Sequence, residues 1–441
     1  MSFTSAHLQQ ALARFPAVHR YLIAFSGGCD SRVLLHALAA LRSHLNDVVV
    51  QAVHVNHGLQ ARAGEWEQHC QTVCDELNIP LHILRVDATA QPGESREAAA
   101  RRARYYAFKS LIKSGDMLLL AHHADDQAET LLLQLLRGAG AKGLAAMPGM
   151  TEFGGGWLGR PLLHESRANL QHYAEQYGLD WIEDPSNADE GFDRNYLRHR
   201  VMPLLTARWP SAVTTLGRSA GHLAESAALL AQLAEQDWQQ CRDAHNRLQL
   251  TGVQQLNPAR QRNLLRYWLV SRCSLTCPDS RHLNRILHEV LPAGDSATPV
   301  VGWSGGEVRR YRGLLYAMSP QATTTQTPVT AWDGLQPLPL SGGKLVSHPA
   351  KGEGLDPARC AAPLTVRFRA GGEICKPVGR GHHHSLKKLF QEWGVPPWQR
   401  QQVPLIYAGD EIAQVVGYCI CEPFQTAPQK QGLVIQLENN S

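Results

Sequence analysis

Tyr21-Leu22-Ile23-Ala24-Phe25-Ser26-Gly27-Gly28-Cys29-Asp30-Ser31 is a short apolar run that breaks at a glycine pair, followed by Val33, Leu34, Leu35, Leu38 and Leu41. The run has the length and apolarity of a buried strand, and the leucines after it recur at helical spacing. A glycine-rich strand-to-helix turn aims backbone N–H groups, and the positive end of the helix dipole, at a phosphate. A Walker-type loop would close on Gly-Lys-Ser/Thr, but here that lysine is missing and the loop ends in Asp30-Ser31. A carboxylate beside phosphates makes sense when a cation such as Mg²⁺ lies between them. The segment predicts a nucleotide-phosphate cradle formed by Ser26, Gly27, Gly28, Cys29, Asp30 and Ser31, with Asp30 as a metal ligand.

Outward from this loop, strands and helices alternate over the first ~210 residues. Val48–Val55, Leu81–Val86 and Met117–Ala121 read as strands, Glu94–Lys113 and Asp125–Arg137 as helices. Such alternation predicts an α/β fold with a parallel sheet covered on both faces and ligands beyond the carboxyl ends of its strands. From about Ser211 the pattern turns helical: Leu216, Leu223 and Leu230 recur every seven residues, Asn257-Pro258 is a helix start, and Asp279–Leu291 reads as another helix. Residues 306–318 read as one or two strands. Pro320–Thr330 is a polar, Pro/Thr-rich linker. Beyond it, Leu364–Phe368, Val403–Tyr407, Glu411–Val416 and Leu433–Leu437 read as short strands and Leu386–Glu392 as a helix. The expected organisation is a nucleotide-binding catalytic domain at 1–210, a mainly helical domain at 211–319, a linker at 320–330 and a small α+β domain at 331–441.

At 441 residues the chain is too long for a single core, given roughly 150 residues per domain. It has no run of about 18 apolar residues, so no membrane partner is expected. Residues 1–20 lack the compact apolar core of a signal peptide, and the expected location is the cytoplasm. None of the ten cysteines forms a C-x-x-C pair, and reduced, mostly buried thiols are expected. A net charge of +4 neither demands nor excludes a polynucleotide partner, so local clusters must decide.

The second chemical constellation is His122-His123-Ala124-Asp125-Asp126-Gln127-Ala128-Glu129-Thr130. Asp126, Glu129 and Thr130 fall at i, i+3 and i+4 and share one helical face. Packed carboxylates repel one another unless they meet a metal or a cationic substrate. Arg101 and Arg104 share a face of the preceding helix with Glu97 and offer guanidiniums for phosphates. His382-His383-His384 invites a metal reading, although a basic loop accounts for it as well.

S-G-G-x-D-S resembles the signature of PP-loop pyrophosphatases, which cleave ATP between the α and β phosphates. That resemblance implies that the end of the second strand, Val53-His54-Val55-Asn56-His57-Gly58, holds adenine, with His54 and Asn56 in the nucleotide site. Further segments sharpen the resemblance to the tRNA(Ile)-lysidine synthetase family. They are E-A-A-A-R-R-A-R-Y, H-H-A-D-D-Q-A-E-T, L-L-R-G-A-G-A-K-G-L, Arg160-Pro161-Leu162-Leu163, Asp184-Pro185-Ser186-Asn187 and Arg194-Asn195-Tyr196-Leu197-Arg198. Leu386-Lys387-Lys388-Leu389-Phe390 and Val395-Pro396-Pro397-Trp398 with Arg400 resemble the family's tail. One departure is Gln60, where the family often has arginine.

The resemblance implies ligation of free L-lysine to C2 of the wobble cytidine of a tRNA(Ile) with a CAU anticodon, switching decoding from AUG to AUA. ATP would give AMP and pyrophosphate through an adenylated cytidine. The implied cofactors are ATP and Mg²⁺, the latter on Asp30 and Asp126. Asp30, Asp126, Glu129 and Arg101 would be catalytic, with the roles of Asp126 and Glu129 towards the lysine amine not separated. Thr130, Lys142, Asn187, Arg194 and Arg198 would contact substrate. In the tail, Lys387, Lys388 and Arg400, with Arg367, Arg369 and Arg380 around Phe390 and Trp393, would grip tRNA. Monomer and homodimer are equally open. A PP-loop tRNA thiolase is the nearest rival, but related thiolases carry the paired C-x-x-C motifs that this chain lacks. A small-molecule adenylating synthetase is the next rival and has no use for the tail.

Overall fold

The computed structural model describes residues 2–45, 48–58, 62–294, 297–320, 329–340, 342–360 and 363–438. The chain divides into two compact units, residues 1–232 and 233–441. The expectation at Gln60 and most of the 320–330 linker lie outside the described residues.

The first unit runs α1 (Ser5–Leu12), β1 (Arg20–Ala24), α2 (Cys29–Ala40), β2 (Val49–Asn56), α3 (Ala63–Glu76), β3 (Leu81–Arg85) and α4 (Arg96–Leu111). It continues as β4 (Asp116–Leu119), α5 (Ala124–Leu136), α6 (Ala141–Leu144), β5 (Met150–Phe153), β6 (Gly156–Gly159) and α7 (Arg167–Gln176). The six strands form one sheet in the order β3-β2-β1-β4-β6-β5. Neighbours are parallel except in the β5–β6 hairpin, whose four-residue strands carry no clear period in sequence.

Strand alternation explains why both faces are covered. Tyr21, Ile23 and Phe25, with Met117 and Leu119, join a core that takes in α1, α2, α3 and α7. Leu22, Leu118 and Leu120 point the other way and meet Val53, Phe108, Ile112 and Leu158. Arg20 pins the amino end of β1 to β4 through paired bonds to Asp116, Nε to Oδ1 at 3.1 Å and Nη2 to Oδ2 at 2.5 Å. From β1 the chain winds outward to β3 and then returns to place β4 on the opposite side of β1. That reversal is a topological switch point, and the crevice beyond the carboxyl ends of β1 and β4 is where such sheets bind ligands.

After α7, the run Asp193–Arg208 is helical, with a wide π turn at Leu197–Val201. The unit boundary falls within the long helix Ala212–Cys241.

In the second unit, Asn257 caps the helix Pro258–Tyr267 by accepting from Ala259 and Arg260 N–H. Trp268, Leu269, Leu283 and Ile286 pack against Val301, Val308 and Leu315 of a four-stranded sheet. Two of its strands, Gly306–Tyr311 and Leu314–Met318, match the sequence reading, and Val300–Trp303 and Leu248–Gln249 flank them. Farther on, a five-stranded sheet uses its two faces differently. Val366, Ile406 and Ala413 pack towards Leu345 and Ile435 of a three-stranded sheet. Leu405, Ile412 and Val415 pack on Leu386, Leu389 and Phe390 of the helix Leu386–Glu392. Among the described residues no helix is long and apolar enough to cross a membrane.

Candidate active site

The loop after β1 is shaped by its own hydroxyls. Ser31 Oγ donates to Gly28 O (2.9 Å) and accepts from Ser26 N (3.3 Å), and Ser26 Oγ accepts from Gly28 N (3.3 Å). Gly27 has φ +86°, and a Cβ there would meet Ile182 Cδ1 at 2.8 Å, so both conformation and space require glycine. Ile182 N donates to Gly27 O at 2.9 Å and fixes the turn from outside. Asp30 sits in the first turn of α2, with one carboxylate oxygen facing His123 and the other, Oδ1, buried without a hydrogen-bond partner among the described residues.

The loop after β4 brings in the opposing charges. His123 is buried, and three carboxylates surround its ring: Asp30 at 3.5 Å and Asp126 at 3.5 Å from Nε2, and Asp125 at 3.6 Å from Nδ1. Burial works to lower its pKa, but these carboxylates outweigh it and hold His123 at about 10. The imidazolium thus neutralises part of the acidic cluster. His122 is the reverse case: burial drives it down to about 3, and its neutral Nδ1 accepts from Arg160 Nε at 3.2 Å.

Asp126 caps α5 by accepting from His123 N (3.1 Å) and also accepts from Arg198 Nη2 (2.9 Å). Burial opposes its ionisation, but His123, Arg194 and Arg198 hold its pKa below the ordinary carboxylate value. Glu129, 1% exposed, accepts from Arg194 Nε at 2.9 Å and from Arg198 Nε and Nη2 at 2.6 and 3.0 Å. Thr130 Oγ1 donates to Asp126 O and accepts from Arg194 Nη2. The shared face expected for Asp126, Glu129 and Thr130 is therefore present, and it is filled by Arg194 and by Arg198 from the π turn.

His54 lies underneath: buried, with its pKa lowered chiefly by burial, it bonds through Nδ1 to Phe25 O at 3.0 Å and ties the carboxyl end of β1 to β2. The Asn56 amide donates to Glu67 (2.7 Å), and its carbonyl accepts from Gly58 N (2.7 Å). Both side chains are thus engaged in shaping the strand end. Arg101 is exposed over the Tyr105 ring at 4.8 Å. Arg104, on the same helix, has a buried Nε without a partner among the described residues, as has His57 Nδ1. Burial and the Arg104 charge push His57 down to about 4.

Lys142 is exposed on α6, and Asn187 is exposed in the Pro185–Ala188 turn, its carbonyl accepting from His199. In the second unit Lys387 and Lys388 are exposed on the helix whose other face is core. Arg400 is buried instead, donating to Val395 O and Tyr311 OH. Arg380 pairs with Glu392, Arg369 with Glu373, and Arg367 lies over Tyr407. Phe390 is core, and Trp393 stacks on Tyr418.

The PP-loop domain model matches residues 3–205, the TilS substrate binding domain 248–316 and the TilS substrate C-terminal domain 364–437. The tRNA(Ile)-lysidine synthase of Coxiella burnetii is 44% identical over 438 residues, covering 99% of this chain and 97% of that relative. The enzyme of the same name from Methylococcus capsulatus is 45% identical over 420 residues, 94% of this chain and 95% of the relative. This chain belongs to the tRNA(Ile)-lysidine synthase family. Among solved structures, a U34-tRNA thiolase from Methanococcus maripaludis aligns over 50% of this chain and 78% of its own, at 17% identity and a TM-score of 0.42. A TilS C-terminal domain aligns over 24% of this chain and 92% of its own, at 28% identity and a TM-score of 0.21.

His123 and Asp125 lie within this charged cluster and Arg160 bonds to His122 beside it, yet sequence spacing alone did not single them out. A buried histidine beside three carboxylates is visible only once β1 and β4 are neighbours.

Proposed function

We propose that the chain ligates lysine to the wobble cytidine of a CAU-anticodon tRNA(Ile), using ATP to adenylate the base and releasing pyrophosphate and then AMP. The observation that carries this reading is the unpartnered buried Oδ1 of Asp30, beside a glycine cradle at the switch point of the sheet, in a chain of this family.

An orphaned buried carboxylate oxygen is costly unless a cation completes it, and a hard oxygen donor suits Mg²⁺. Asp30 would hold such an ion, with Asp126, which faces the same His123 Nε2, as a second ligand. When bound, it would neutralise charge on the departing pyrophosphate. The Ser26–Ser31 backbone and the amino end of α2 receive phosphate oxygens. His54 and Asn56 hold the strand edge against which adenine lies. Arg101, exposed and held by the Tyr105 hydroxyl and ring, would leave them for the α-phosphate, and Arg104 backs it from a drier position.

In the second step the ε-amine of lysine must lose a proton before it attacks C2. Glu129 already accepts three guanidinium hydrogen bonds, so it positions Arg194 and Arg198. Asp126 has fewer bonds, and its carboxylate, held ionised by His123, Arg194 and Arg198, orients the amine. Arg194, Arg198 and Asn187 then stand at the edge where the anticodon backbone enters, with Lys142 on the same unit as a phosphate contact. Lys387 and Lys388 supply positive charge to more distant tRNA phosphates. Arg400 would act through the fold of its own unit.

Incubation with ATP, Mg²⁺, labelled lysine and transcripts of both CAU tRNAs tests the reading. Label is expected in the isoleucine transcript alone. Label in neither transcript overturns lysidine formation, and label in both overturns the tRNA choice.

A further inference from the structure

Three cysteines far apart in sequence converge in the second unit. The Sγ atoms of Cys375, Cys419 and Cys421 all lie within 4.8 Å of one another. No disulfide joins them: all three are free thiols, two buried and one half-buried. Local backbone holds them there. Cys375 ends the strand Ile374–Cys375, and Cys419 opens the short edge strand Cys419–Ile420 of the five-stranded sheet. Val378 N donates to Ile420 O and Glu422 N to Lys376 O, so the two segments run bonded side by side. The Lys376–Glu422 ion pair at 2.8 Å closes the arrangement on its outer side.

Strand register offers a candidate fourth donor, whose ring stands outside the three-sulfur cluster before any ion binds. Cys375 stands directly opposite His384 in the antiparallel pair, which puts both side chains on one face of that ribbon. His384 is half-buried, and its ring stacks on that of His382 with centroids 5.2 Å apart. Three thiols and an imidazole are a soft donor set of the kind found in closed tetrahedral zinc sites. With Zn–S near 2.3 Å such a site holds its sulfurs about 3.8 Å apart, so the thiols need to close by only about 1 Å or less. Ordinary packing does not call for three thiols at one point, since a cysteine gains no more from burial among sulfurs than among the leucines nearby.

The geometry points to a structural zinc site formed by Cys375, Cys419, Cys421 and His384. Each thiol gives up its proton on binding, so three thiolates and a neutral imidazole hold the divalent ion. The ion clips the ribbon Ile374–Cys375/His384–Ser385 to the edge of the five-stranded sheet. It thereby fixes the intervening loop, which carries Arg380, His382 and His383. This inference stands independently of the proposed reaction, because none of its residues belongs to the first unit.

The test uses the full chain, purified under reducing conditions without chelator. Elemental analysis is expected to find one zinc per chain. Cobalt exchange is expected to give thiolate-to-cobalt charge transfer in the near ultraviolet and strong visible bands of a tetrahedral centre. Cys419→Ser and Cys421→Ser are each expected to lose the metal, and His384→Ala to weaken zinc by at least about tenfold in competition with a chromophoric chelator. The cobalt spectrum of the unsubstituted chain keeps the test decisive if a variant does not fold. No metal after zinc reconstitution, a disulfide among these cysteines in freshly reduced protein, or iron with visible absorption in place of zinc would each overturn the site.

Discussion

Asp30 and Glu129 are both carboxylates beyond the carboxyl ends of the parallel strands β1 and β4, and the protein treats them in opposite ways. Asp30, in the first turn of the helix after β1, keeps a buried oxygen with no hydrogen-bond partner among the described residues. Glu129, on the helix after β4, is 1% exposed and saturated by two arginines. An acid held open at a cost to the fold is ready to take a cation; an acid closed by guanidiniums is part of the scaffold that arranges them. Both lie in the same acidic neighbourhood, so residue type and proximity alone do not separate the roles, and hydrogen-bond accounting does.

The sharpest way to break this comparison is to remove each carboxylate and measure stability by denaturant unfolding. Glu129→Ala leaves Arg194 and Arg198 side by side with Asp126 as their one remaining carboxylate among the described residues, and is expected to cost about 3–5 kcal/mol. Asp30→Ala removes an unsatisfied atom but also one of the three carboxylates that face His123, and is expected to cost less, about 1–2 kcal/mol. Equal losses would erase the distinction.

A second comparison concerns His123, which the carboxylates hold at about 10 against an ordinary value of 6.5. A histidine whose folded pKa is raised binds its proton more tightly in the native state. Its stabilising contribution is therefore complete below pH 6.5 and declines as the pH rises towards 10. His123→Gln is expected to flatten this alkaline decline in an unfolding series between those limits. His57, pushed down to about 4, has the opposite sign: its contribution is present above pH 6.5 and falls away on acidification towards 4. His57→Gln is expected to remove part of the acid sensitivity and leave the alkaline limb unchanged.

The smallest effect belongs to the exposed lysines. Lys387→Ala and Lys388→Ala are each expected to weaken tRNA retention less than tenfold and to reduce the salt dependence of binding by about one phosphate contact. ATP-dependent steps should be untouched. An unchanged salt slope would take these lysines out of the tRNA-binding account.

The α/β core and its cradle were legible because their signals are local. A five-residue apolar strand, two glycines and a leucine stripe lie within about 20 residues and need no partner to be read. Asp126, Glu129 and Thr130 were legible as one helical face for the same reason. What fills that face was not, because Arg194 and Arg198 lie some 65 residues onward and reach Glu129 only after the switch-point topology has formed. The sequence reading placed these arginines on RNA and the carboxylates on lysine; the structure joins them in one network. Arg400 looked like a surface cation, but its guanidinium is buried against Val395 and Tyr311, a tertiary contact with no sequence signature. The meeting of Cys375 with Cys419 and Cys421 was hidden in the same way, since two antiparallel segments more than 40 residues apart must first pair.

The most direct test of the open and closed carboxylates is pyrophosphate release by Asp30→Asn, followed across a Mg²⁺ titration with tRNA retention measured on the same preparation. The account predicts that release falls by at least about 100-fold, that added Mg²⁺ recovers little of it, and that tRNA is retained as in the parent. Normal pyrophosphate release with lost tRNA retention would contradict it.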